Sequence, residues 1–253
     1  MEIITLTKEN LEREHICCAI SNNKDCQVSS KKAWLEQRFD DGLVFKKADV
    51  RGKCFIEYIP AEKSWVPIEA DGYMYINCLW VSGQFKGKGY SNILLEECIR
   101  DSKEKGKKGL AVLSSPKKLA FISDPKYMHY KGFLTADTAE PYYELLYLPF
   151  EAQAPMPKFK EQAKKPHIDK DGFVLYYSAQ CPFTAKYAPI AEEMAKARNI
   201  PFTTIKFETA EQAQNAPAAS TSYCLFWNGE FVTHEILSEK KLEKIFDEKT
   251  TSL

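Results

Sequence analysis

The sequence predicts an α/β protein that is divided into two units. Apolar runs of strand length alternate with segments of helical periodicity along most of the chain. A glycine-rich turn at residues 83–91 joins one such strand to a helix, and a stretch rich in proline and lysine at residues 151–171 holds few large apolar side chains. A chain of 253 residues is long enough for two domains. We therefore expect one domain over residues 1–150, a linker over residues 151–171 and a second domain over residues 172–253.

Composition and charge exclude several classes of protein. Hydrophobic residues make up 44% of the chain and charged residues 28%, which is typical of soluble globular proteins. The 35 basic and 35 acidic side chains cancel, so no basic field favours nucleic acid or an anionic membrane. No apolar run approaches the ~20 residues of a membrane span, and residues 1–4 do not begin a secretory signal. Eight cysteines are too few for a disulfide scaffold, so we expect reduced thiols, a cytoplasmic location and no bound metal.

Capping and turn residues mark the ends of the first strands and helices of the first unit. Residues 2–6 predict a short strand, and Thr7 is expected to cap a short helix after it. A longer helix is expected over residues 31–38, capped by a preceding serine. The apolar runs at residues 43–46 and 54–60 flank a turn that contains glycine, so they predict an antiparallel hairpin.

Glu57 is a carboxylate inside the otherwise apolar second strand of that hairpin. An outward, solvated side chain is the interpretation that half-buried strands favour. If Glu57 faces a site instead, desolvation would make it a better base for an amine proton. We keep Glu57 as the first candidate for a general base.

A strand at residues 73–81, a glycine-rich turn at residues 83–91 and a helical pattern follow one another directly. Glycines let the backbone approach a ligand closely, and free amides at a helix N-terminus attract anions. Lys86 and Lys88 add full positive charges, so a phosphate or pyrophosphate is the expected guest. A Walker loop does not fit because Lys88 is followed by Gly89, and a dinucleotide fingerprint would come earlier in the chain.

The passage from the strand into the helix resembles the acetyl-CoA motif of the GNAT acetyltransferase superfamily, in which an Arg/Gln-x-x-Gly-x-Gly/Ala loop leads into a helix. One register, which the following pair of leucines favours, places Lys86, Gly89 and Ser91 at the motif positions. A shifted register places Gln84, Gly87 and Gly89 there and matches the letters of the motif better.

The resemblance implies a GNAT fold with a mixed central sheet, acetyl-CoA as co-substrate, and a primary amine of a small molecule or peptide as the acceptor. It also implies that the loop amides hold the CoA pyrophosphate and that the end of the preceding strand holds the pantetheine arm. The residues that this assigns to cofactor binding are Leu79, Trp80, Val81, Lys86, Gly87, Lys88, Gly89, Tyr90 and Ser91.

Further along, a short buried strand is expected at residues 110–113 and a helix at residues 117–122. The next stretch again resembles the GNAT pattern, in which a helix ends at Gly-Phe. Many members carry a tyrosine four residues before that glycine, which protonates the CoA thiolate, but this chain has Met128 there. Tyr127 and Tyr130 flank it and are candidates for the acid, although either could equally be a core aromatic.

The second unit begins with a buried-type strand at residues 172–178 that leads to Cys181. Another strand at residues 201–207 and a hairpin at residues 223–232 complete a pattern that looks like a thioredoxin fold. Amides at a helix N-terminus would lower the pKa of Cys181 and make it a reactive thiol. Thr184 stands where a resolving cysteine would be, so a dithiol cycle cannot close there. An acetyltransferase with such a tail resembles the bacterial YoaP-type proteins.

A different class of function is a protein that senses thiols or metals. Cys17 and Cys18 are adjacent, His15 is close by and Cys26 follows, but the Cys-x2-Cys pairing of a zinc site is missing. Buried cysteines that act as small hydrophobes are the other interpretation. In this hypothesis the thiols of these residues and of Cys181 would bind the metal or react with the sensed thiol, and CoA would be only a structural ligand. A thiol oxidoreductase is a third hypothesis. The sequence names neither the acceptor amine nor an oligomeric state.

Overall fold

The computed structural model of the chain describes residues 2–19 and 24–251. No helix within these residues combines the length and the apolar character that crossing a membrane requires. The strands and helices of the first unit are β1 (Ile3–Thr5), α1 (Cys26–Phe39), β2 (Val44–Ala48), β3 (Cys54–Pro60), β4 (Ile68–Glu69), β5 (Tyr73–Val81), α2 (Tyr90–Glu104), β6 (Gly109–Ser114), α3 (Pro125–Tyr130), β7 (Leu134–Ala139), β8 (Tyr143–Pro149), β9 (Lys158–Phe159) and α4 (Glu161–Lys164).

A seven-stranded mixed sheet in the order β1-β2-β3-β5-β6-β8-β7 forms the centre of this unit. Strands β5 and β6 are parallel and the other neighbours are antiparallel, so the expected mixed sheet and the expected β2–β3 hairpin are confirmed. Alternate side chains of the strands are apolar on both faces. One face packs against α1 and the other against α2 and α3, which makes two separate apolar cores.

One extra residue, Asn77, interrupts the ladder between β3 and β5. Glu57 lies opposite Cys78, whereas Tyr58 lies opposite Ile76, so the register shifts between the two pairs. This is a β-bulge, which bends a strand and changes the direction of the side chains beyond it.

The second unit contains β10 (Phe173–Tyr177), α5 (Thr184–Ala197), β11 (Phe202–Lys206), α6 (Ala210–Gln214), β12 (Tyr223–Trp227), β13 (Glu230–Thr233) and α7 (Glu239–Thr250). Its sheet has the order β11-β10-β12-β13, and only the β10–β11 pair is parallel. Helices α5 and α7 cover the face that carries Phe173 and Leu225. The interpretation of this unit as thioredoxin-like stays a prediction.

One of the two apolar cores of the first unit, on the face that packs against α1, also contains side chains of the second unit. Phe207 and Ala213 of the second unit belong to the same buried cluster as Trp65 of the first. Residues 151–171, expected as an extended linker, instead carry β9 and α4, because the buried side chain of Phe159 anchors the segment beside β4. The limits proposed for the two domains stay a prediction.

Three expectations for local structure are wrong. No helix follows Thr7: these residues form turns, and the side chain of Asn10 accepts a hydrogen bond from the Thr7 amide at 2.9 Å. Helix α1 begins earlier than expected because Asp25 caps it through the amide two residues on. Residues 117–122 form turns instead of a helix, and the backbone of Ser123 is bound to the end of β6.

His234 joins the two units through both of its ring nitrogens. Its Nε2–H donates to the carbonyl oxygen of Ala120 at 2.9 Å, and its Nδ1 accepts from the hydroxyl of Tyr142 at 2.8 Å. Burial of the ring favours its neutral form, in which Nδ1 accepts this second bond. Burial lowers the pKa of His234 below its usual value of 6.5.

We expect the free energy of unfolding to fall as the pH drops below about 6.5. The unfolded chain then binds a proton at residue 234 that the folded protein excludes, so the slope is at most ~1.4 kcal/mol per pH unit for this residue. Urea unfolding between pH 5 and 7.5 measures it. The variant His234→Gln keeps a donor and an acceptor but does not titrate, so its slope should be smaller. An unchanged slope would contradict the assignment of this effect to His234.

Candidate active site

The loop before α2 presents free backbone donors. Gly87 and Gly89 have φ angles of 74° and 77°, in the left-handed region that favours glycine. Gly89 is the N-cap of α2, and no side chain caps the helix. Among the described residues, none accepts a hydrogen bond from the amides of residues 87–91. A Cβ atom on either glycine would meet nothing within 4 Å, so a ligand has room to reach these amides.

The charge around this loop is positive. Lys86 and Lys88 are exposed, and the first turn of α2 contains no acidic residue. The helix dipole adds partial positive charge at the same end. Free amides, open space and positive potential together fit a pyrophosphate. Both registers of the motif contain Gly89, and the choice between them stays open.

Strands β5 and β6 separate directly behind the loop. They pair only at residues 73–76 and 109–112, and beyond Ile76 the strand β5 bonds to β3 alone. The backbone of residues 77–81 therefore has a free edge along the gap between β5 and β6. Such an edge offers hydrogen bonds to an extended chain with amide groups, and the pantetheine arm of CoA is such a chain.

The side chains of Leu79, Trp80 and Val81 do not share one side of the sheet. Leu79 and Val81 pack on the face that carries α2. Trp80 lies on the other face, where its ring centre is 6.5 Å from that of Phe183 in the second unit. Trp80 can therefore contribute only its backbone to the α2 side.

The two candidate tyrosines lie in different surroundings. Tyr127 is half-buried, and its hydroxyl is 3.3 Å from Oδ1 of Asn92 in the first turn of α2. Burial raises the pKa of Tyr127, so its hydroxyl keeps its proton at neutral pH. Tyr130 is 79% exposed, and Met128 between them is part of the core.

Glu57 is buried, with 1% of its surface exposed, so the interpretation as an outward, solvated side chain is wrong. Its Oε2 is 2.6 Å from the Nζ of Lys31, which is equally buried. Its Oε1 accepts a hydrogen bond from Nδ2 of Asn77 at 2.9 Å. The same Lys31 ammonium donates to the carbonyl oxygen of Gln180 at 2.7 Å, which ties the carboxylate to the second unit.

A small cavity lies where β5 and β6 separate, and both units line it. Its volume is about 30 Å³. Tyr75, Asn77 and Leu113 lie on the side of the two strands, and the loop before α3 contributes Phe121. The second unit contributes polar residues that the sequence did not point to, namely Gln180, Ser220, Thr221 and Ser222. No pattern along the chain marks them, since only the packing of the two units brings them to the strands.

The thiol of Cys181 does not have the lowered pKa that the sequence led us to expect. Burial is the largest effect and raises the pKa of Cys181 to about 11, although the amide of Phe183 partly offsets it. Helix α5 begins only at Thr184, so Cys181 lies ahead of its first turn. Burial also raises the pKa of Cys78 and Cys18 on the neighbouring elements.

The cysteines near the N-terminus do not form a common site. Cys17 and Cys18 are buried, whereas Cys26 is exposed. Within residues 2–19 and 24–251, no three His, Cys, Asp or Glu side chains are arranged to hold a metal ion. This arrangement does not favour the hypothesis of a metal-sensing or thiol-sensing protein.

We expect iodoacetamide at pH 8 to modify Cys26 about 100-fold faster than Cys181. A thiol with a pKa of about 11 is only ~0.1% thiolate at that pH, and Cys181 is also less accessible. Peptide mapping by mass spectrometry over time measures both rates, and raising the pH should speed the reaction of Cys181. Equal rates at pH 8 would contradict the raised pKa.

The sequence is similar to that of a known protein along nearly its whole length. Over 245 residues, which are 96% of this chain and 98% of the relative, the sequence is 42% identical to the protein described as "Uncharacterized N-acetyltransferase YoaP" of Bacillus subtilis (strain 168). A family model described as YoaP-like matches residues 201–244.

Solved structures of acetyltransferases are also similar to part of the chain. The PaiA N-acetyltransferase of Thermoplasma acidophilum, in complex with coenzyme A, is 17% identical with a TM-score of 0.41, over 59% of this chain and 100% of that one. A GNAT family acetyltransferase of Brucella melitensis, in complex with acetyl-CoA, is 16% identical with a TM-score of 0.39, over 61% of this chain and 91% of that one. Because the identity to the Bacillus relative extends over nearly the whole of both chains, the protein belongs to the YoaP-like N-acetyltransferases.

Proposed function

We propose that the protein transfers the acetyl group of acetyl-CoA to a primary amine of a small molecule or peptide. One observation carries the proposal: the free edge of β5 at residues 77–81 leads directly to the free amides at residues 87–91. The amides would hold the pyrophosphate and the edge would hold the pantetheine arm. The acetyl group would then lie in the gap between β5 and β6. The eight cysteines are free thiols, which supports a reducing compartment such as the cytoplasm.

The reaction needs one proton to leave the amine and one to reach the sulfur. The amine nitrogen attacks the acetyl carbonyl carbon, a C–N bond forms and the C–S bond breaks. The thiolate that leaves takes up a proton. We assign this donation to Tyr127 and not to Tyr130, because Tyr127 is half-buried against the first turn of α2 and carries its proton at neutral pH.

Glu57 keeps a role in the proposed site, but it lies behind Asn77. Both carboxylate oxygens already accept hydrogen bonds or pair with an ammonium, and Asn77 lines the cavity in front of it. The role of general base that we expected for Glu57 stays a prediction. A Glu57→Gln variant tests it, because loss of a base should change the pH dependence of kcat.

Titration calorimetry of acetyl-CoA into the full chain tests the proposed function. We expect binding at one site per chain that weakens as salt rises, since part of the attraction is electrostatic. A panel of primary amines should then cause loss of thioester absorbance in the presence of the protein. A folded protein that binds no acetyl-CoA would overturn the proposal.

Replacing Tyr127 with phenylalanine should lower kcat about 100-fold with the best amine of that panel, while the affinity for acetyl-CoA stays unchanged. The hydroxyl is removed but the half-buried ring remains in place. Tyr130→Phe is the matched control, and it should leave kcat within twofold because its side chain is exposed. If Tyr130→Phe lowered kcat and Tyr127→Phe did not, the assignment of the acid would be wrong.

A further inference from the structure

Two buried oxygen atoms at the cavity between β5 and β6 have no hydrogen-bond partner. They are Oδ1 of Asn77 and Oε1 of Gln180, and both residues line the cavity. A buried polar group without a partner costs about 1–3 kcal/mol, so such groups usually meet a ligand or an ordered water. Both atoms are acceptors, and a ligand that satisfies them must bring N–H or O–H donors.

The orientation of Asn77 is fixed by its neighbours. Its Nδ2 donates to Glu57, and a carboxylate only accepts hydrogen bonds, so the other end of the amide must be the oxygen. Glu57 is held in turn by the ammonium of Lys31 at 2.6 Å. Glu57 therefore sets the direction of Asn77. The bulge in β5 gives Asn77 its place between the regular pairs of the ladder.

Gln180 is held in place from the opposite side of the cavity. Its backbone carbonyl accepts a hydrogen bond from the same ammonium of Lys31 that pairs with Glu57. Thr221 on the neighbouring loop donates to the carbonyl oxygen of Trp65 in the first unit. The second unit is thus anchored to the first at two residues that line the cavity, Gln180 and Thr221.

Resting on the proposed function, we propose that the acceptor's amine nitrogen binds between the amide oxygens of Asn77 and Gln180, so that the second unit completes the acceptor site. An amine donates two or more N–H hydrogen bonds and can therefore satisfy two acceptor oxygens. A carboxylate or a phosphate has only acceptor oxygens, which the two amide oxygens would repel. The two amide oxygens therefore favour an amine at this position and disfavour an acidic group.

The cavity has room for the nitrogen of the acceptor. Its volume of about 30 Å³ exceeds the ~10–15 Å³ that one water needs. Phe121 also lines the cavity and is 45% exposed, so a carbon chain can continue along its ring to the surface. The acceptor class is therefore a primary amine on a carbon chain that runs past Phe121.

The experiment uses n-propylamine as the acceptor, with loss of thioester as the readout for the full chain. We expect turnover of n-propylamine. Gln180→Leu should raise the KM for n-propylamine about 10-fold and leave acetyl-CoA affinity unchanged. Gln162→Leu, an exposed change outside the cavity, should have no effect.

Failure of this inference and failure of the proposed function give different results. If the wild type binds no acetyl-CoA, the proposed function is overturned. If acetyl-CoA binds but n-propylamine is not turned over, the acceptor class is wrong. An unchanged KM in Gln180→Leu, or an equal rise in Gln162→Leu, would mean that the cavity holds only water and that the second unit takes no part in acceptor binding.

Discussion

Gly89→Glu is expected to weaken acetyl-CoA binding by on the order of 1000-fold, which is ~4 kcal/mol. The φ angle of 77° strains any side chain at this position, and a glutamate would project into the open space in front of the free amides. It would exclude the pyrophosphate and repel its charge, so several hydrogen bonds to a charged group, each worth ~1.5–3 kcal/mol, would be lost together. Titration calorimetry against the wild type measures the change in Kd.

Gly106→Glu is a matched control for this variant. Gly106 follows the other end of α2, has a φ of 66°, and a Cβ atom there would also meet nothing within 4 Å. The backbone strain and the added charge are therefore comparable, but the change is remote from the free amides. We expect Gly106→Glu to bind acetyl-CoA as the wild type does. Equal losses in both variants would show that strain, and not occlusion of the loop, explains the effect of Gly89→Glu.

Lys31→Met should lower the free energy of unfolding by about 3–5 kcal/mol. Lys31 and Glu57 are both fully buried, with 2.6 Å between the ammonium and the carboxylate. Without the ammonium the carboxylate is buried unpaired, and the carbonyl oxygen of Gln180 loses its donor. Urea unfolding followed by circular dichroism, extrapolated linearly to water, measures the loss.

Two further variants test whether the unpaired carboxylate of Glu57 causes this loss of stability. Lys8→Met removes a lysine whose ion pair with Asp40 is exposed, so we expect a loss below ~1 kcal/mol. Lys31→Met combined with Glu57→Gln removes both buried charges and keeps an acceptor for Asn77. This double variant should recover at least half of the loss. If it is no more stable than Lys31→Met alone, an unpaired carboxylate is not the cause.

Local patterns in the sequence were sufficient to predict the strands and the helix around the proposed cofactor site. The strands at residues 54–60 and 73–81 have the expected limits, and α2 begins at Tyr90 as its periodicity indicated. These elements depend on alternating apolar residues and on glycines at fixed places, so they can be identified within windows of about ten residues. The same holds for the free amides before α2, because they follow from a glycine turn that enters a helix.

The acceptor side could not be predicted in the same way. Lys31 and Gln180 are 149 positions apart along the chain, and no periodicity relates them. Glu57 looked like a solvated residue because its pairing with Lys31 depends on how α1 crosses the sheet. The pKa of Cys181 was expected to fall because of its position near the start of a helix, but the burial of the thiol dominates and raises it.

The bulge at Asn77 determines which side chains of β5 face each side of the sheet. Before it the odd-numbered side chains face α1, and after it the even-numbered ones, Cys78 and Trp80, do so. If Asn77 took a regular place in the ladder instead of forming a bulge, every side chain beyond it would be inverted to the end of the strand. Trp80 would then face the α2 side of the sheet, and Leu79 and Val81 would turn toward the second unit. The extra residue thus keeps Trp80 on the side of the second unit and Leu79 and Val81 on the side of α2.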